Sequence, residues 1–190
     1  MSTQGRRERE RAERERDIVT AARDLALAEG WEAVTTRRLA AEIEYSQPVL
    51  YSHFKGKDAI MAAVAVEGFA ELANALAAAR ASAASPRQAV ADVAAAYVAF
   101  AEQRPAIYDA MFTLAVDLPF ATQEVPPDLA RGFAELAETV RPVAGNDDLE
   151  TFTETFWSGL HGLVTLMRSG RLRRPGHDHR LAVLVDRFSR

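Results

Sequence analysis

Residues 30–54, GWEAVTTRRLAAEIEYSQPVLYSHF, hold the pattern on which the fold turns. Thr35 is a good N-cap for a short helix running to about Ile43, with Thr36 the second choice. Leu39, Ala40 and Ile43 recur on one side of it, the spacing of a helix that buries one face. Glu44 and Tyr45 make a short connection, and Ser46 can cap a second short helix to about His53. Pro48 falls in the first turn of that helix, where backbone donors have no helical partner and a missing N–H is tolerated. Two short helices joined by a tight turn, after a longer packing helix, form a helix-turn-helix.

The longer helix lies just upstream. From about Arg16 to Glu29, Ile18, Ala21, Ala22, Leu25 and Ala28 share one face, and Gly30 is placed as the stop. Arg6 to Arg16 mixes six Arg with four Glu. Two readings of this charged arm (residues 1–15) stay open: a solvated, fraying extension of the helix, or a basic arm reaching a DNA groove.

Downstream, a long Ala-rich helix is expected from Lys57 to about Ala81. Ser85 and Pro86 start another, running to about Gln103, and Pro105 permits one to about Val116. Three prolines mark 119–127 as a loop. Helices follow near 127–141, 148–169 and 179–189, with a polar loop over 170–178. The sum is an all-α chain of about nine helices, with a helix-turn-helix domain over 1–57 and a helical domain over 58–190.

Composition agrees. Ala occurs 37 times among 190 residues, and strand-favouring residues are sparse. Hydrophobic residues make up 48% of the chain, which excludes a disordered protein, and the absence of Cys excludes disulfides and thiolate chemistry. The longest apolar run, Val93 to Ala101, falls far short of the ~20 residues of a membrane span. The charged N-terminus has no apolar region of the secretory kind, so a cytoplasmic home and no membrane partner are expected. A net charge of −4 argues, taken alone, against a nucleic-acid partner. The charge is uneven, however: residues 1–57 carry 11 Lys+Arg against 10 Asp+Glu, and 58–190 carry 12 against 17.

No catalytic constellation stands out. There is no G-x-S-x-G elbow and no Gly-rich phosphate loop. The pair His177 and His179 sits in a Pro-Gly loop without further ligands and reads as solvated, so neither metal nor cofactor is expected. Asp147, Asp148 and Glu150 suit the start of a helix.

The segment Gly30–Ile60 resembles the DNA-binding domain of the tetracycline-repressor (TetR) family of bacterial regulators. Thr35, Leu39-Ala40, Ser46, Leu50-Tyr51, His53-Phe54 and Lys57 fall where the family has its pattern residues. Many members have Gly where this chain has Glu44, a turn position at which positive φ is easy. The stretch FWSGLHGL (156–163) resembles the Trp-x-x-x-His-Gly signature of one subgroup of ligand domains. The resemblance implies that the helix from Ser46 lies in the major groove. Gln47 is then the best reader of a base edge, since an amide can bond adenine bidentately, with Tyr45 and Pro48 available to thymine methyls. Thr35, Thr36 and Arg37 would face a phosphate at the start of the preceding helix, and Tyr51, His53 and Lys57 match phosphate-contacting positions.

The same resemblance implies an effector pocket among the middle helices, for which Phe69, Tyr97, Phe100, Met111, Phe133 and Phe156 are the candidates. It also implies dimerisation through the last two helices. Trp157, His161 and Val164 form a second apolar stripe on the helix near 148–169, and Leu181, Leu184 and Phe188 line the last helix. The expected protein is a homodimeric, non-enzymatic transcriptional regulator that binds an inverted-repeat operator. It would most simply be a repressor released by a small apolar or aromatic molecule. The competing reading is a helical small-molecule carrier, or an enzyme, that has lost DNA binding.

Overall fold

The computed structural model describes residues 3–114 and 127–189, and among these every regular element is helical. The helices are α1 (Thr3–Glu29), α2 (Thr36–Glu42), α3 (Gln47–His53), α4 (Lys57–Ser82), α5 (Pro86–Gln103), α6 (Pro105–Phe112), α7 (Pro127–Val140), α8 (Leu149–Arg168) and α9 (His177–Phe188). Single 3₁₀ turns cover Trp31–Ala33 and Arg141–Val143.

The boundaries follow local chemistry. Ser85 Oγ accepts from the backbone N–H of Gln88 and opens α5; Asp148 Oδ1 accepts from Thr151 and opens α8. The bonds from the Thr151 backbone and hydroxyl hold the Asp148 carboxyl below its usual range. Gly30 adopts φ 84° immediately after α1, a conformation that side chains rarely take. Two expected boundaries move. The helix from Pro105 ends at Phe112, short of Val116, as Thr113 and Leu114 both donate to the carbonyl of Asp109. α9 starts at His177, because Gly176 turns the chain at φ 92° and frees the next residue to enter the helix. The charged run from Arg6 to Arg16 continues α1 in helical form. The loop expected over 119–127 lies outside the described residues, save for Pro127.

The chain forms two compact units. The first holds residues up to Gly68 together with α6. Its core is built from Ile18, Ala22 and Leu25 of α1, Leu39 of α2, Leu50 of α3 and Ile60 of α4, all buried. Trp31 donates its indole N–H to the carbonyl of Ala106 at 2.7 Å, which seats α6 in this unit. α4 and α6 cross at Gly68, where an added Cβ would lie 2.5 Å from Ile107 Cγ2.

The second unit holds Phe69–Gln103 and the helices from α7 onward. Tyr97, Leu160 and Phe156 are fully buried there. α8 and α9 approach closely at Gly159, where an added Cβ would stand 2.7 Å from Leu184 Cδ1. Phe188 packs on Phe152 and Phe156 with ring centroids 5.0 and 5.3 Å away. α4 is long and apolar enough to pass as a membrane span, and half of its most apolar stretch is already buried in the protein, as in a core helix.

Candidate nucleic-acid interface

The interface is built on α2, α3 and the turn between them. Thr35 Oγ1 accepts from the Arg38 backbone N–H at 3.2 Å and caps α2. α2 then ends in a Schellman motif. The Tyr45 N–H bonds the Ala40 carbonyl at 2.8 Å, and the Glu44 N–H bonds Ala41 at 3.4 Å. The motif requires a left-handed residue at the turn, and that residue is Glu44, at φ 57°. It is the one non-glycine with positive φ among the described residues.

α3 has seven residues and buries chiefly one of them, Leu50. Ser46, Gln47, Pro48, Val49 and Tyr51 are exposed. Ser46 sits at the N-cap position without a side-chain bond to the helix, so its hydroxyl is not committed there. The hydroxyls of Tyr51 and Thr36 lie 3.3 Å apart and join the outer faces of α3 and α2. Arg37 is exposed, whereas Arg38 forks onto the Glu29 carboxylate and ties α2 to the end of α1. This contact holds Glu29 below and Arg38 above their usual ranges.

The remaining expected residues have internal partners. Tyr45 donates to Asp17 at 3.2 Å. The His53 side chain is only 6% exposed and faces Glu15 at 3.3 Å. Lys57 donates to the carbonyl of Trp31. α1 therefore braces the turn before α3 through Asp17 and the last residue of α3 through Glu15. Sequence reading did not single out either acid. The available signal was position: Glu15 lies one turn before the buried pair Ile18 and Val19.

The effector candidates divide between the units. Phe69, Tyr97, Phe100 and Phe156 are buried in the second unit and Phe133 is half-buried there. Met111 belongs to the first unit, where it packs near Gly68. Trp157 and His161 turn toward α5. Trp157 Nε1 donates to the Tyr97 hydroxyl at 3.1 Å, His161 Nδ1 lies 3.4 Å from the same oxygen, and its Nε2 is 3.3 Å from Thr165 Oγ1. Burial pushes the His161 imidazole below its ordinary value. Val164 is buried within the chain, while Leu181, Leu184 and Phe188 are half-buried on α9. His177 and His179 lie in the first turn of α9, and no group of three potential metal ligands gathers among the described residues.

The family comparisons fall on both units. A profile described as bacterial regulatory proteins, tetR family, matches residues 18–64. A second, described as tetracyclin repressor-like C-terminal domain, matches residues 90–188. No curated protein matches the chain. Among solved structures, a protein of unknown function from Rhodococcus sp. RHA1 is 26% identical, with TM-score 0.73 and 92% of each chain covered. The TetR family transcriptional regulator PfmR from Thermus thermophilus is 19% identical, with TM-score 0.58, covering 90% of this chain and 96% of its own. The transcriptional regulator FadR from Bacillus subtilis, solved in complex with stearoyl-CoA, is 12% identical, with TM-score 0.65, covering 89% and 96%.

Proposed function

The chain belongs to the tetR family of bacterial regulatory proteins, and on that premise we propose that it is a homodimeric, ligand-released repressor. Residues 1–57 bind the operator and 58–190 sense the effector and dimerise. The observation that carries the reading is the outer face of α3: a short helix fixed by Leu50 and by α1, with Gln47, Pro48 and Tyr51 directed outward. Gln47 stands in the first turn, where a helix lying in the major groove meets base edges. Its amide suits adenine N6 and N7. The paired hydroxyls of Thr36 and Tyr51 suit a phosphate oxygen, and such contacts set register without reading sequence.

The second unit supports the sensing role by its aromatic interior around Tyr97, Phe100 and Phe156. Apolar bodies with one hydrogen-bonding group fit such interiors best. The Trp-x-x-x-His spacing has a physical basis here, since an i,i+4 pair on α8 reaches one tyrosine hydroxyl. The dimer seam is best supplied by the outward side of α8 at Ser158, Gly162 and Leu166, with Val183 of α9, which is 46% exposed. A twofold dimer presents two reading helices, so its operator is an inverted repeat. The work is done in the cytoplasm, where the chromosome is.

The test is fluorescence anisotropy with the duplex upstream of the protein's own gene, over about 50–200 mM salt. Tight binding that weakens steeply with salt, and exceeds binding to a scrambled duplex by orders of magnitude, supports the reading. A carrier without DNA function gives neither.

A further inference from the structure

The N-terminal half of α1 extends beyond the core of the first unit, and its charges are arranged by side. Arg7, Arg11 and Arg14 continue, at helical spacing, the stripe that buries Ile18, Ala22 and Leu25 further along. The stripe that faces the core thus becomes cationic where the core ends.

Two contacts show what lies on that side. Arg11 reaches the carbonyl of Ser52 at 3.5 Å, and Glu15, bonded to Arg11 at 2.9 Å, faces His53. Both partners are at the C-terminal end of α3. The arm therefore runs beside the helix proposed to lie in the groove, within the same compact unit. Its acids are largely spoken for. Glu10 pairs with Arg6, Glu15 with Arg11, and Glu8 accepts from Gln4. Arg7 and Arg14 are exposed, and among the described residues neither has an ion-pair partner.

We propose that Arg7 and Arg14 form a second nucleic-acid contact, gripping the phosphate backbone of duplex DNA beside the segment that α3 reads. The inference rests on the DNA-binding reading above and extends it to flanking, sequence-independent contacts. The partner chemistry follows from the pattern: guanidiniums at i,i+7 on a solvated helix suit a regular line of phosphates, and they carry no base information. A protein of net charge −4 gains most from placing its exposed cations beside the reading helix.

The experiment uses the full chain and a duplex that the wild type selects from a random pool, with anisotropy measured from about 50 to 200 mM salt. The pair Arg7→Ala and Arg14→Ala is compared with Arg9→Ala and Arg16→Ala, which lie on the other side of α1. Alanine favours helix, so both pairs keep α1 folded, and far-ultraviolet dichroism checks this. The expected result is a salt slope shallower by about 0.9 for each phosphate that the first pair no longer grips. Affinity should fall on selected and mixed-sequence duplexes alike, while the second pair retains the wild-type slope. A wild-type slope in the first pair overturns the proposal, and so does equal flattening in both pairs, which would mean undirected charge. Should the wild type select no duplex at all, the DNA-binding reading itself fails and this proposal with it.

Discussion

The carboxylate of Glu15 stands 3.3 Å from Nδ1 of His53, and the His53 side chain is only 6% exposed. A histidine at the end of the helix proposed to read DNA is thus turned inward, against α1, and its work is to hold α3 in place.

The contact is part-buried, and removing Glu15 leaves the buried His53 nitrogen without its partner, so Glu15→Ala should destabilise the protein by at most about 1 kcal/mol. Glu15→Gln retains an acceptor and should recover much of that loss. Urea unfolding measures the stability, and anisotropy shows whether operator affinity falls with it. Identical midpoints for Glu15→Ala and the wild type would remove the contact from the account of α3.

Glu44 holds the left-handed position of the α2 Schellman motif at φ 57°. A side chain there costs about 1–2 kcal/mol relative to glycine, partly offset by the greater chain entropy glycine has when unfolded. Glu44→Gly should therefore raise the urea midpoint modestly. It should also strengthen DNA binding, because an anion leaves the reading face. Glu44→Ala keeps the strain and loses only the charge, so comparing the two separates the effects. A midpoint for Glu44→Gly below that of Glu44→Ala would refute the strain argument.

Gln47 and Tyr51 are both exposed on α3, yet their substitutions should differ in kind. Gln47→Ala is expected to cost about 1–3 kcal/mol at one base pair of each half-site and to leave mixed-sequence binding nearly unchanged. Tyr51→Phe loses a hydroxyl 3.3 Å from Thr36 and should weaken binding to all duplexes by a similar factor. Selection from a random pool, repeated with each variant, reads the difference directly. If Gln47→Ala loses specific and non-specific binding equally, it is no reader of bases.

Much of this geometry was legible in the residues. Thr35, Ser85, Pro86 and Pro105 announce helix starts by capping chemistry that acts within a few residues, and the structure places α2, α5 and α6 accordingly. The short connection at Glu44 and Tyr45 was legible between the two helices, whereas the left-handed position of Glu44 followed only from the resemblance, in which many members carry Gly there. What one sequence could not show is which side chain on one helix meets which on another. Lys57 reaches a carbonyl 26 residues away, His53 an acid 38 residues away, and Trp157 a hydroxyl 60 residues away. Val164 has the apolar character of an interface residue and of a core residue alike; only packing buries it.

At Gly68 an added Cβ would lie 2.5 Å from Ile107 Cγ2 and 2.8 Å from Met111 Sδ. Met111 can swing aside, but the Ile107 methyl sits on a branched Cβ with few alternatives. Overpacking of this kind costs about 1–3 kcal/mol, against about 1 kcal/mol gained by replacing a helical glycine with alanine. Gly68→Ala should thus be neutral to destabilising, and the double variant Gly68→Ala, Ile107→Val, which keeps that methyl, should be no better. Gly68→Ala with Ile107→Ala should recover helix propensity but lose buried apolar surface. A clear rise in midpoint for Gly68→Ala alone would mean that α4 and α6 are not in close contact there.

His161 ties stability to pH. Trp157 Nε1 can only donate, so the Tyr97 oxygen accepts from it and the Tyr97 proton is available to His161 Nδ1. That arrangement uses the neutral imidazole, with Nε2–H toward Thr165 Oγ1. Burial lowers the folded-state pKa below the ordinary 6.5, so the unfolded chain takes up a proton at higher pH than the folded one does. Between those two values the unfolded state binds more protons, and stability rises with pH. The contribution is fully present above about 6.5 and is lost as pH falls from there toward the folded value. The carboxylates with shifted titration, Glu29, Glu138 and Asp148, are lowered from their ordinary values and act only in more acid solution. Urea midpoints measured at about pH 7.5, 6.5 and 5.5 should therefore decline for the wild type and decline less for His161→Gln, whose amide does not titrate. Parallel declines in the two proteins would assign the pH dependence to other groups and leave the Tyr97–His161 contact without a role in it.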